Sequence, residues 1–102
     1  GGPPDLSTSR PPTAVVLPTL DDIFNENTRS AARERAIGIY RRIDVGDSVR
    51  AEAAALAGQS WLEDKDLPRA REWYALAYAL NPRDLYRDVL DGIDSNLNRM
   101  AD

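Results

Sequence analysis

The side chains that carry most enzyme chemistry are missing from this chain. It has no His and no Cys. That removes the usual general base, the Ser–His and Cys–His couples, thiolate metal sites and the commonest metal ligand. What remains is carboxylate, 17 Asp and Glu in all. A carboxylate pair does acid–base work when its surroundings push the two pKa values apart. Here the acids are spread over turns and outer helical stripes: Asp64 and Asp66 flank a turn, and Asp84, Asp88 and Asp91 share one exposed helical stripe. Asp64-Lys65-Asp66 alternates like the start of a calcium loop but runs at once into Leu67-Pro68, leaving no room for the remaining oxygen ligands. There is no phosphate-cradling glycine loop and no GxSxG. The residue types therefore predict no enzyme, no metal and no cofactor.

Basic residues are the second chemistry to weigh. Twelve Arg stand beside a single Lys, Lys65, a bias that a GC-rich bacterial genome produces. Against 17 acids the 13 bases leave a net charge of −4, which argues against non-specific nucleic-acid binding, since that needs an excess of cations to release counterions. One segment runs the other way. Arg29, Arg33, Arg35, Arg41 and Arg42 outnumber Glu34 and Asp44 within residues 28–44. No aromatic stacking platform accompanies them, because Tyr40 falls on the apolar stripe. The expectation is no nucleic acid, with an acidic protein surface a better match and a solvated face better still.

These side chains must be carried by helices. Residues 1–18 hold five of the seven prolines and read as an extended, flexible linker, with Ala14–Leu17 an apolar island inside it. Residues 19–102 read as one α-helical domain. Leu20, Ile23 and Phe24 give a short turn, and Asn25–Thr28 break it and offer a cap. Ala32, Ala36, Ile39, Tyr40 and Ile43 then fall on one face of a helix over 28–44, with Arg33, Glu34, Arg41 and Arg42 opposite. Gly46 ends it. An Ala-rich helix over 48–63 follows, with Gly58 inside it, a residue tolerated there where helices touch closely. Pro68 sits in the first turn of a helix over 67–80, which Asn81-Pro82 stops. The last helix, 83–100, has Tyr86, Val89, Leu90, Ile93, Leu97 and Met100 on one side. At 42% hydrophobic and 29% charged the composition is globular, and no run approaches the ~20 apolar residues that span a bilayer. Zero Cys suits cytoplasm and periplasm alike. The sequence starts at Gly1 without a charged n-region or an apolar h-region, which reads as a processed form, a fragment or a tag remnant.

Shifting the chain by 34 residues sets Arg35 on Arg69, Ala36 on Ala70, Tyr40 on Tyr74, Leu56 on Leu90 and Gly58 on Gly92. The fullest unit, 51–84, resembles a tetratricopeptide repeat, with Gly58, Trp61, Ala70, Tyr74, Ala77 and Pro82 at that family's signature spacings. Ala54 and Ala57 depart from it, standing where the family carries larger residues. The upstream unit has Phe24 for a small residue and Ser48 for Pro. The downstream unit has only its first helix, with Ser95 where an aromatic belongs. The resemblance implies antiparallel helical hairpins stacked as a short right-handed solenoid, closed by a C-terminal solvating helix.

It also implies a non-catalytic protein–protein interaction module, an adaptor or scaffold, binding a peptide or partner helix in a groove lined by the first helices. Carried over, the groove residues are Glu52, Ala55, Gln59, Leu62 and Glu63 on one helix and Tyr86, Val89, Ile93 and Asn96 on another. Val89 and Ile93 serve equally well as core. The basic clamp that some members use for a C-terminal carboxylate is absent. About two and a half units fall short of the usual three, which leaves a second reading open: a structural or self-associating spacer, homodimeric through repeat stacking.

Overall fold

The computed structural model describes residues 15–101. The greater part of the Pro-rich stretch, residues 1–14, lies outside them. Five helices and no strand are found among the described residues: α1 (Leu20–Phe24), α2 (Arg29–Tyr40), α3 (Asp47–Glu63), α4 (Leu67–Leu80) and α5 (Asp84–Ala101). The protein is all-α. Packing follows chain order, α2 on α3, α3 on α4 and α4 on α5, with α1 against both α2 and α3. Connections this short make sequence neighbours antiparallel.

Each boundary has a local cause. Thr19 caps α1, its Oγ1 accepting from the Asp22 amide at 3.2 Å, and Asp21 and Asp22 favour the positive end of the helix dipole. The far end of α1 is closed by a side chain from the next helix: Arg29 donates Nε to the Ile23 carbonyl (2.7 Å) and Nη2 to that of Phe24 (2.9 Å). Arg50 does the same for α2, donating to the Tyr40 carbonyl at 2.7 Å. Carbonyls orphaned at helix C-termini are thus satisfied by guanidinium groups. Of the Asn25–Thr28 stretch expected to offer a cap, Thr28 is the N-cap of α2 but makes no side-chain cap; its hydroxyl donates to the Asp22 carbonyl at 2.7 Å.

α2 is shorter than the expected 28–44. It ends at Tyr40, and Arg42 pairs with Asp44 in the following turn. Ile43, expected on the core face, is 97% exposed there. The α3–α4 connection is a Schellman closure: the Asp66 amide donates to Trp61 O at 2.8 Å and the Lys65 amide to Leu62 O at 3.0 Å. Lys65 takes the left-handed φ of 65° that this closure demands. Asp66 then caps α4 through the Arg69 amide at 3.0 Å, with Pro68 in the first turn.

The core is built from small residues and a few rings. Ala51, Ala54, Ala70, Ala77, Tyr74, Tyr86 and Ile93 form one buried cluster. Small side chains bring α3 and α4 together at Gly58, where an added Cβ would lie 2.6 Å from Cδ2 of Tyr74 and 3.2 Å from the Ala70 carbonyl oxygen. Aromatic pairs tie successive layers. Tyr40 meets Trp73 edge-on at 5.3 Å, and Tyr74 meets Tyr86 at 6.4 Å.

Arg33 overturns its expected place on an outer face. It is only 9% exposed. Its Nε donates to Ser60 Oγ at 2.7 Å, its Nη2 to Asp64, and the guanidinium lies 3.6 Å from the centre of the Trp61 ring. A buried cation survives when paired and fully hydrogen-bonded, and the end of α3 and its C-cap, Asp64, supply all three partners. Arg29 reaches the same carboxylate at 2.9 Å. Of the five arginines read as a basic surface, Arg29, Arg33 and Arg42 are therefore engaged within the fold.

Candidate interaction groove

A groove of about 460 Å³ opens between alternate helices. α3 supplies Glu52, Ala55, Leu56 and Gln59. Pro18 and Leu20 enter from the start of α1, and Leu85, Tyr86 and Val89 from α5, with Arg83 just before it. Tyr74 of α4 closes the depth between them. The helical period explains the α3 contribution, since positions 52, 55, 56 and 59 share one face of a helix.

Its chemistry is apolar with a few placed polar groups, the pattern of a binding cleft. The Tyr74 hydroxyl donates to Gln59 Oε1 at 2.8 Å, and Gln59 Nε2 donates to Glu63 at 3.1 Å. Burial, with a smaller contribution from Tyr86, raises the Tyr74 phenol from its ordinary value to about 12. Tyr74 is therefore a neutral hydrogen-bond donor at physiological pH rather than a base. Leu20 and Leu85 stand on the two flanks with 52% and 56% of their surface exposed. Glu52 and Arg83 are the two charged residues of the lining, and neither is in an ion pair among the described residues. The Arg83 guanidinium lies 5.4 Å from the Tyr86 ring centre.

The residues expected in the groove separate here. Glu52, Ala55, Gln59, Tyr86 and Val89 line it. Leu62 does not; it is half-buried against the core cluster. Glu63 lies outside the lining but holds Gln59. Ile93 is core, 3% exposed. Asn96 turns back on its own helix, donating to the Gly92 carbonyl at 3.0 Å. Tyr86 is also 3% exposed, so its ring is a wall of the groove and part of the core, not a wet anchor for a ligand. Sequence reasoning missed Pro18, Leu20, Leu56, Tyr74, Arg83 and Leu85. Leu56 carried a signal, since it recurs at Leu90 under the 34-residue shift. Leu20 shared helical spacing with Ile23 and Phe24 but was read with them only as a short turn; Pro18 and Arg83 carried no signal, standing at or beyond helix ends where periodicity says nothing.

Several carboxylates elsewhere are engaged in structure. The Arg33 hydrogen bond, helped by Arg29, holds Asp64 below the usual carboxylate range. The Arg69 amide and side chain do the same for Asp66, and Arg42 for Asp44. No group of three or more potential metal ligands is gathered among the described residues, and none of the described helices is long and apolar enough to cross a membrane. No protein-family model matches the chain, and no curated protein or solved structure matches it.

Proposed function

We infer that the chain is a non-catalytic protein-interaction module that holds a short apolar stretch of a partner protein in the groove between α1, α3 and α5. The observation that carries this reading is the lining itself. Alternate helices face one open groove, and two large apolar side chains, Leu20 and Leu85, stand half-exposed in it. Solvent-exposed leucines grouped around a concavity mark interaction sites more often than isolated ones do.

The same arrangement supports a tetratricopeptide-like build. α1–α2 and α3–α4 are the hairpins, and α5 is a third first-helix without its mate. The close approach of Gly58 to Ala70 and Tyr74 fits the signature spacing. The outward residues of α5, among them Arg87, Asp88, Asp91 and Ser95, are exposed and polar, as a solvating helix requires. That polarity favours the adaptor reading over a spacer that self-associates by stacking on α5, which would bury those charges. A display library of random peptides panned against the protein tests the reading. Enriched apolar peptides should bind in solution, and Leu20→Asp or Leu85→Asp should weaken them tenfold or more, about 1.4 kcal/mol. Arg41→Glu, at an exposed residue outside the lining, should leave binding intact. Binding indifferent to both leucines would overturn the groove assignment.

A further inference from the structure

The groove has an occupant close at hand in the sequence. Among residues 1–14 there is one acid, Asp5, one base, Arg10, and one large apolar residue, Leu6 beside Asp5. The groove lining has one base, Arg83, one acid, Glu52, and an apolar remainder. Neither lining charge is neutralised by an ion pair among the described residues, although seven other arginines of the fold are.

The path of the chain adds a second observation. Residues 15–19 precede α1 without helical structure, Thr19 is extended, and Pro18, the last residue of the Pro-rich stretch, is buried and lines the groove. The stretch thus already seats one proline there. Arg10 stands five residue steps before Val15, a reach of at most about 16 Å at ~3.1 Å per step. Pro11 and Pro12 lie within that interval, and proline loses little backbone entropy on docking because its φ is already fixed.

We propose that residues 5–10 of this chain occupy its own groove in cis, Asp5 against Arg83, Arg10 against Glu52 and Leu6 among the apolar lining. Tethering gives such a segment an effective concentration in the millimolar range, so a weak fit suffices. An external partner must displace it, which makes the segment an autoinhibitory strap. The inference rests on the groove being a binding site.

The absence of native Cys makes the test clean. Ser7→Cys in the full chain carries a single nitroxide label, and methyl signals are read by NMR. The expected result is loss of the Leu20, Leu85 and Val89 signals with those of Ile43 and Met100 retained. Glu52→Lys combined with Arg83→Glu should restore the lost signals. Adding Asp5→Arg and Arg10→Asp to that variant should abolish them again. Retained signals in the Ser7→Cys chain would overturn the proposal, as would loss that survives the reversed groove charges. A sample mixing labelled chain with isotope-enriched, unlabelled chain must show no loss; loss there would place the segment in a second copy and overturn docking in cis. Retained signals alongside a display-selected peptide that still binds would sink this inference and leave the groove reading standing.

Discussion

Replacing Gly58 by alanine would set a methyl group 2.6 Å from Cδ2 and 2.9 Å from Cε2 of Tyr74, and 3.2 Å from the Ala70 carbonyl oxygen. Carbon atoms rest at about 3.5–4.0 Å, so the ring must retreat by about 1 Å or the helices must part. The ring has little freedom. Its hydroxyl is bonded to Gln59, its face meets Tyr86, and it is buried. Overpacking of this kind costs ~1–3 kcal/mol, and straining the Tyr74–Gln59 bond adds about 1 kcal/mol. Alanine returns ~1 kcal/mol in helix propensity. The net loss is ~1–3 kcal/mol, and each kcal/mol lowers Tm by roughly 4–8 °C in a domain of this size. Gly92 is the internal control. It occupies the equivalent position one period later, yet an added Cβ there meets nothing within 4 Å. Gly92→Ala should raise stability by ~1 kcal/mol. Chemical denaturation of both variants reads the two signs. A Gly58→Ala protein as stable as wild type would refute the close α3–α4 approach.

Lys65 holds a left-handed φ of 65°, a conformation that costs a non-glycine residue about 1 kcal/mol, so Lys65→Gly should raise Tm by several degrees; an unchanged or lower Tm would contradict that backbone. Asp64 titrates below the usual carboxylate range because of Arg33 and Arg29, so its contribution is present above the unfolded value of ~3.9 and is lost as pH falls through the folded one. Asp64→Asn should therefore be less stable at neutral pH and show a shallower acid limb, measured by urea denaturation across pH. Tyr74 is raised to about 12, so its contribution is full below the unfolded value of ~10 and fades as pH climbs through the folded one. Tyr74→Phe should flatten that alkaline limb, and an identical slope in the two proteins would count against the buried phenol.

Local signals in the sequence were strong where they were chemical. Asp66, Pro68 and Asn81-Pro82 bracket α4, and its expected bounds, 67–80, match the helix observed. The small residues Ala36 and Ala70, paired by the 34-residue shift, are both fully buried. What escaped depends on contacts distant in sequence. A helical arginine with polar neighbours reads as solvated, yet Arg33 is buried because Ser60, Trp61 and Asp64 gather at the C-terminal end of α3, 27 or more residues away. The end of α2 moved because Arg50 takes the Tyr40 carbonyl. Gly92 shares a phase with Gly58 but not its role, since no helix packs against it. Five residues of the groove lining, Glu52, Ala55 and Gln59 on α3 and Tyr86 and Val89 on α5, were legible through the tetratricopeptide resemblance. Its flanks were not, because Pro18 and Arg83 lie at chain segments with no period to read, and the short spacing of Leu20 with Ile23 and Phe24 says nothing of α3 or α5.

The central claim is that α1, α3 and α5 together present one apolar binding groove. The direct measurement is a methyl-NMR titration of the full chain with a display-selected apolar peptide. Shifts should concentrate on Leu20, Ala55, Leu56, Leu85 and Val89, with Ile43 and Met100 unmoved. Shifts confined instead to the outer face of α2 and the turn that follows it, around Arg35, Arg41 and Ile43, with the groove methyls silent, would contradict it.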